Sequence, residues 1–285
     1  MPTEPPVPGL VSVTLVVYNG ERDVAQAIDS VLGQNYPAFE VIAVDDGSTD
    51  GTWEVLRSYG HRIRAVRQPN GGLPVARNTG LRHARGEFIA LMDHDDLCMP
   101  ERLSVQVAFL RAHPAVGLCG SDFSAFNEHG PIEPSHIATY YAQYARAQGR
   151  PAALYPHSGT LDVAPCLPEP SGQPCLVDVY KGDVYERIAC GNFVHPPTVM
   201  VRAEVLRGPV GSIPRRGPCA TGTGWSAWPM SPRSDTSIAR CSTTGGRRPR
   251  CPPPSNGPAV RSTPSTSPGA SAGAIRRSCS DAAPR

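Results

Sequence analysis

Between residues 11 and about 126, short β-branched runs alternate with stretches whose apolar positions repeat at helical spacing. Val11–Tyr18 has the length and composition of a buried strand, and Val24, Ile28, Val31 and Leu32 then fall on one helical face. Phe39–Asp45 predicts a second strand, closed by Gly47-Ser-Thr-Asp-Gly51, where Ser48 or Asp50 can cap a short helix carrying Trp53, Val55 and Leu56. Ile63–Val66 reads as a third strand and Leu73–Ala84 as a helix. Phe88–Met92 is a fourth strand, Pro100–Ala112 a helix with proline in its first turn, and Val116–Phe126 supplies a fifth strand. Strict alternation of this kind predicts an α/β fold, with a mostly parallel, Rossmann-like sheet covered by helices on both faces. In such sheets ligands sit beyond the carboxyl ends of the strands. Tyr18-Asn19, Asp45-Asp46 and Asp93–Asp96 all fall at those ends, so one crevice should hold them.

The remainder is patterned differently. Residues 1–9 read as a flexible lead, and 127 to about 180 show weak periodicity, with an inserted loop or a short helical hairpin over 137–147 as the two readings. From 207 to 285 the chain is rich in Pro, Arg, Ser, Thr and Gly and has only Asp235 and Asp281 as acidic residues. A segment of that composition buries too little apolar surface to offset its ordering entropy, which predicts disorder. A second explanation is a shifted reading frame: Lys181 is the only lysine, as a GC-rich gene tends to encode. Regrouping codons over 219–228 permits an Asp-Trp-Asp stretch and restores missing acidic residues. The domain reading is therefore one α/β unit over 10–206, strongly patterned at 10–126 and weakly at 127–206, followed by the atypical segment at 207–285.

Composition narrows the partners. A net charge of +2 and an arginine-rich segment without interleaved aromatic residues argue against nucleic acid. Nine cysteines without Cys-x-x-Cys spacing argue against structural zinc and a disulfide framework. The N-terminus lacks the basic and apolar regions of a secretory signal, and no apolar run approaches the ~18 residues that span a bilayer. The expectation is a cytoplasmic protein.

The candidate chemistry lies in Asp93-His94-Asp95-Asp96, where three carboxylates fall within four residues after an apolar strand. Such crowding raises carboxylate pKa values or calls for a partner, and a hard divalent cation that leaves coordination sites for substrate phosphates is the natural one. The competing reading is a solvated loop capping the next helix. Asp45 and Asp46 could likewise cap a turn, Asn19 could be a turn former, and Arg77 a helix-surface cation.

Taken together, Val11–Asn19, Ala27–Tyr36, Val44–Thr52, Asn70–Gly80 and Ala84–Asp96 resemble the family 2 glycosyltransferases in order and spacing over about residues 10–126. The resemblance implies a GT-A fold, a nucleotide-diphosphate sugar donor (typically uridine-linked), Mn²⁺ or Mg²⁺, and inversion at the anomeric carbon. The acceptor would be a glycan or lipid-linked glycan, with peripheral membrane association in view. Val17, Tyr18 and Asn19 would line the base pocket. Asp46 would accept a hydrogen bond from the base, with Asp45 supporting the turn, and Arg77 would contact the nucleotide. Asp93 would hold the ribose or share the metal with Asp95, and Asp96 would orient the loop. His195, in Asn192–Thr198, would lie on the acceptor side, a satisfied structural histidine being the alternative. The family's general base, an aspartate in a Glu-Asp-type motif beyond the strand at 198–201, has no counterpart in this chain. The catalytic base is therefore unknown, and the chain is expected to bind donor and turn over little. The alternative is a non-catalytic nucleotide-sugar binding module. A nucleotidyltransferase would need a Gly-rich loop with a basic residue, and Val16–Glu21 offers one glycine and no lysine.

Overall fold

The computed structural model describes residues 5–127, 130–133, 136–167, 173–207 and 237–242. Its first part alternates as the sequence predicts: β1 (Val7–Val17), α1 (Val24–Leu32), β2 (Phe39–Asp45), α2 (Thr52–Ser58), β3 (Arg64–Arg67), α3 (Leu73–His83), β4 (Gly86–Asp93), α4 (Arg102–Ala112) and β5 (Val116–Ser121). A hairpin of β6 (Ala125–Asn127) and β7 (Gly130–Glu133) follows, then the short helices α5 (Ile137–Tyr140) and α6 (Ala142–Arg146). β8 (His157–Asp162), β9 (Leu176–Asp183), α7 (Tyr185–Ala189), β10 (Met200–Arg202), α8 (Ala203–Arg207) and β11 (Ser237–Ser242) complete the described elements.

One sheet carries nine strands in the order β3-β2-β1-β4-β10-β5-β11-β9-β8. β3, β2, β1 and β4 are mutually parallel, whereas β10 runs antiparallel to both β4 and β5. The parallel half follows from its patterning. Along β1, Val11, Val13, Leu15 and Val17 point to the face covered by α1, α2 and α4, where they meet Ile28, Leu56 and Leu110. Val16 points to the opposite face with Ile42, Val44 and Ala76, the last on α3. Both faces are thus buried, as a strand with helices on either side requires. Each fully buried aliphatic side chain contributes roughly 1.5–3 kcal/mol.

Three features differ from the sequence reading. Val7, Pro8 and Gly9 are part of β1 and not a flexible lead: Val7 N–H donates to Arg85 O (2.8 Å), Gly9 N–H to Glu87 Oε2 (2.7 Å), and Tyr36 Oη–H to Gly9 O (2.6 Å). The run predicted as a single strand over 116–126 is split, because Ser121 ends β5 and a separate hairpin begins at Ala125. Within the segment expected to lack structure, Ser237–Ser242 form β11, which is parallel to β5 and antiparallel to β9. The helical hairpin reading of 137–147 agrees with α5 and α6.

Candidate functional site

The carboxyl ends of β1, β2 and β4 converge as anticipated, and hydrogen bonds join the β1 loop to the β2 loop. Asn19 takes φ 52°, a left-handed conformation that asparagine tolerates better than most residues. In that pose its N–H donates to Ser48 Oγ (2.9 Å) and its Oδ1 accepts from Thr49 N–H (2.8 Å). Asn19 therefore ties the β1 loop to the β2 loop. Beside it, Tyr18 stands 47 % exposed over the crevice mouth, while Val17 is buried beneath. Gly20 is required by close approach: a Cβ there would lie 2.3 Å from His94 Cδ2, so the β4 loop packs directly on the β1 loop.

The two β2 aspartates are both buried but differently partnered. Asp45 Oδ1 accepts from Ser48 N–H (2.9 Å). Arg67 Nε lies 3.1 Å from Asp45 Oδ2, an ion-pair distance without hydrogen-bond alignment, so that oxygen is charge-paired yet lacks a hydrogen bond. Asp46 Oδ1 accepts from Gln68 Nε2 (2.7 Å) and Gly71 N–H (3.0 Å), and its Oδ2 from Gly72 N–H (2.8 Å). One carboxylate thus fixes the Gln68–Gly72 turn that launches α3. Gly47 must be glycine at this junction, since it has φ 77° and a Cβ would meet Asn70 N at 2.7 Å.

α3 delivers Arg77 to the end of β4, where Nη2 donates to Asp93 Oδ1 (3.1 Å) and Oδ2 (3.4 Å). Arg77 is a largely buried ion-pair partner of Asp93 and not a loose surface cation. Asp95 is exposed at the crevice and Asp96 is half-buried. Burial, then the charges of Asp93 and Asp95, push the Asp96 carboxyl up to about 6, with Arg102 opposing. The loop therefore carries more negative charge than its own side chains compensate. That excess suits a cation. Among the described residues, however, no three His, Cys, Asp or Glu side chains gather closely enough to enclose one. A Mg²⁺-like ion needs no such cage, because one or two carboxylates plus substrate phosphates and waters suffice.

His195 sits in a cluster that the strand pattern gave no means of foreseeing. Its ring stacks on Phe123 (centroids 4.1 Å, planes 21° apart) and its Nδ1 shares a hydrogen bond of 3.0 Å with Tyr141 Oη. Tyr140 stands edge-on at 5.6 Å. Burial holds the imidazolium of His195 below its usual range against the opposing charge of Asp93, and Arg77 is among the cations that lower it further. The aromatic cluster thus lies within electrostatic reach of the Asp93–Arg77 pair. The turn below it is anchored by Gln106 Nε2, which donates to Thr198 O (2.7 Å). Position 106 is a buried amide in an otherwise apolar helix face, the one signal that could have marked it in the sequence.

Beyond β10 the chain leads away from this crevice. β10 pairs antiparallel to β4 with Met200 opposite Ala90 and Arg202 opposite Phe88, so Glu204 follows at the amino end of β4. Asp235 and Asp281 lie outside the described residues.

The family model described as "Glycosyl transferase family 2" matches residues 12–161. The chain is 41 % identical over 125 residues to the putative glycosyltransferase EpsE of Bacillus subtilis (strain 168), covering 42 % of this chain and 45 % of that protein. It is 34 % identical over 139 residues to the glycosyltransferase GlyA of Streptococcus pneumoniae serotype 4, covering 46 % of this chain and 19 % of that one. Among solved structures, residues 1–349 of S. aureus TarS in complex with UDP-GlcNAc superpose with a TM-score of 0.45 and 23 % identity, over 69 % of this chain and 46 % of that chain. The chain spans less than half the length of each of these three. With the family model matching more than half of its residues, the chain belongs to glycosyl transferase family 2.

Proposed function

We propose that this chain binds a nucleotide-diphosphate sugar, UDP-linked, in the crevice at the ends of β1, β2 and β4, in order to transfer the sugar with inversion to a glycan or lipid-linked glycan. The observation that carries the reading is the gathering of Asn19, Asp46, Arg77 and Asp93–Asp96 at the carboxyl edge of one parallel sheet, with Arg77 paired to Asp93. Val17, Tyr18 and Asn19 form the wall for the base. Asp46 keeps the turn before α3 in place, and Arg77 is held by Asp93 near the nucleotide. Asp95, with Asp93, would hold Mn²⁺ or Mg²⁺, which neutralises charge on the departing diphosphate when bound.

Inverting transfer also needs a group to take the proton of the attacking hydroxyl. After Arg202 the described residues contain Glu204 as their only carboxylate, and it follows a strand that leads away from the crevice. This supports a chain that binds donor and turns over little. A non-catalytic nucleotide-sugar module is favoured by the same observation. A shifted frame beyond about residue 207 accounts for the near absence of acidic residues there. Resequencing the encoding DNA from about codon 200 tests that point, and an uninterrupted frame would refute it.

No helix among the described residues is long and apolar enough to cross a membrane. Peripheral association with the inner membrane face is supported by exposed Leu73 and Val75 in the first turn of α3 and by exposed Leu97 and Met99 in the loop after β4.

The test is calorimetric titration of UDP into the full chain with Mn²⁺ and with EDTA. Binding that requires the metal, and falls at least tenfold in Asp95→Ala, is expected. Metal-independent binding unaffected by that substitution would overturn the reading.

A further inference from the structure

The aromatic cluster on the far side of Asp93 has no part in the donor crevice just described. Five rings gather there from three separate stretches: Phe123 after β5, His136, Tyr140 and Tyr141 around α5, and His195 before β10. Phe123 forms the floor, stacked on His195 and edge-on to both His136 (5.7 Å) and Tyr140 (5.9 Å). Tyr140 is the outermost ring, packed edge-on to Tyr141 at 4.9 Å and still 58 % exposed. A tyrosine braced by four rings yet mostly open to solvent is a rigid apolar plate whose free face has lost little by being held there.

The plate is also ringed by polar edges. His195 Nδ1 is engaged by Tyr141 Oη, which leaves Nε2 as the ring nitrogen to offer a substrate hydroxyl. Thr139 Oγ1 sits 3.2 Å from His136 Nδ1 on the other flank. An aromatic face bordered by imidazole and hydroxyl edges matches a pyranose, which presents an apolar C–H face and a belt of hydroxyls. A lipid chain would leave those polar edges unpaired at a cost, which disfavours it. Position points the same way, since the turn after His195 is tied to β4 by Leu91 N–H donating to Val199 O (2.9 Å), two residues before Asp93.

We infer that the Phe123–Tyr140–His195 cluster is a saccharide subsite, in which the sugar of the acceptor stacks on Tyr140 and hydrogen-bonds to His195. This rests on the proposed transfer reaction, and adds that Tyr140 and Phe123, outside the donor site, seat the acceptor's sugar ring.

Saturation-transfer NMR on the full chain, with cellobiose, diacetylchitobiose and n-octyl β-glucoside as probes and UDP–Mn²⁺ binding measured in parallel, tests it. Transfer to ring C–H protons is expected. Tyr140→Ala should weaken it roughly 3- to 10-fold, the loss of one aromatic stack, while Tyr140→Phe retains it. UDP affinity should be unchanged in both variants, because Tyr140 is outside the donor network. Absence of ring contacts for all three sugars, equal binding by Tyr140→Ala, or saturation of only the octyl chain would overturn the inference. Loss of UDP–Mn²⁺ binding by the unsubstituted chain would instead overturn the donor reading beneath it.

Discussion

At the residue scale, Asp46 shows how one side chain can organise a site without touching chemistry. Three donors converge on its buried carboxylate, two of them backbone amides of Gly71 and Gly72. Asparagine cannot replace it: one oxygen becomes an NH₂ facing a donor. Asp46→Asn is expected to cost about 1–3 kcal/mol, read as a lowered melting temperature, and to weaken UDP binding because the turn ahead of Arg77 loosens. Unchanged melting would mean that the turn is held by other groups. Asp96 gives a prediction of opposite sign. Burial pushes its carboxyl up from the ordinary 3.8 to about 6, so the native state holds its proton more tightly than the unfolded chain. Stability is therefore full below about pH 4 on this account and declines as pH rises through about 6. Discounted for partial exposure, the effect is roughly 1–2 kcal/mol. Asp96→Asn should flatten that decline, and added Mn²⁺ should oppose it in the unsubstituted chain. Denaturant midpoints measured from pH 4 to pH 7 check both.

At the element scale, the parallel half was legible because both of its signals are local. β-branched runs fix β1 and β2, the apolar run Phe88–Met92 fixes β4, and α1 shows its apolar face at i, i+4 and i+7 spacing, so the crevice loops had to fall at one edge. The same loops carried Asn19, Asp45, Asp46 and Asp93–Asp96, and the structure brings them together. Arg77 was legible as a candidate, but its pairing with Asp93 depends on how α3 crosses the sheet. The second half was opaque for physical reasons. β8, His157–Asp162, has a largely exposed polar sequence and exists as a strand only through its pairing with β9. The aromatic cluster assembles residues more than seventy positions apart, from Phe123 to His195, which no periodicity links. Gln106 is the hidden joint between the halves, since α4 uses it to hold the Thr198 carbonyl under that cluster. Gln106→Ala should leave this carbonyl unpaired and a void behind it. A loss of about 1–3 kcal/mol is expected, a drop of several degrees in melting temperature. The His195–Tyr141 contact should loosen with it, visible as a shift of the His195 ring resonances, whereas a shift-free spectrum would argue that the turn is anchored elsewhere.

At the scale of the whole molecule, the sheet gathers the proposed donor residues at one edge, whereas beyond β10 the described residues place no carboxylate there to take the acceptor's proton. β10 is the reason. By running antiparallel between β4 and β5, it carries the chain from the Thr198 turn back toward the amino ends of the parallel strands, and Glu204 goes with it. A base recruited from later residues would have to return to the crevice, and β11 contributes no carboxylate of its own over Ser237–Ser242. General-base assistance is typically worth 10²–10⁴ in rate. With UDP-glucose or UDP-GlcNAc, Mn²⁺ and a saccharide acceptor, the full chain should therefore bind donor but transfer at least about 100-fold more slowly than the ~10 s⁻¹ typical of enzymes. Glu204→Gln should leave even that residual rate unchanged, whereas Asp95→Ala should abolish both binding and turnover. A rate in the ordinary range, with a pH profile that rises on deprotonation of a single group, would show that another residue takes the proton. His195, whose ring borders the proposed sugar plate, would be the first to substitute.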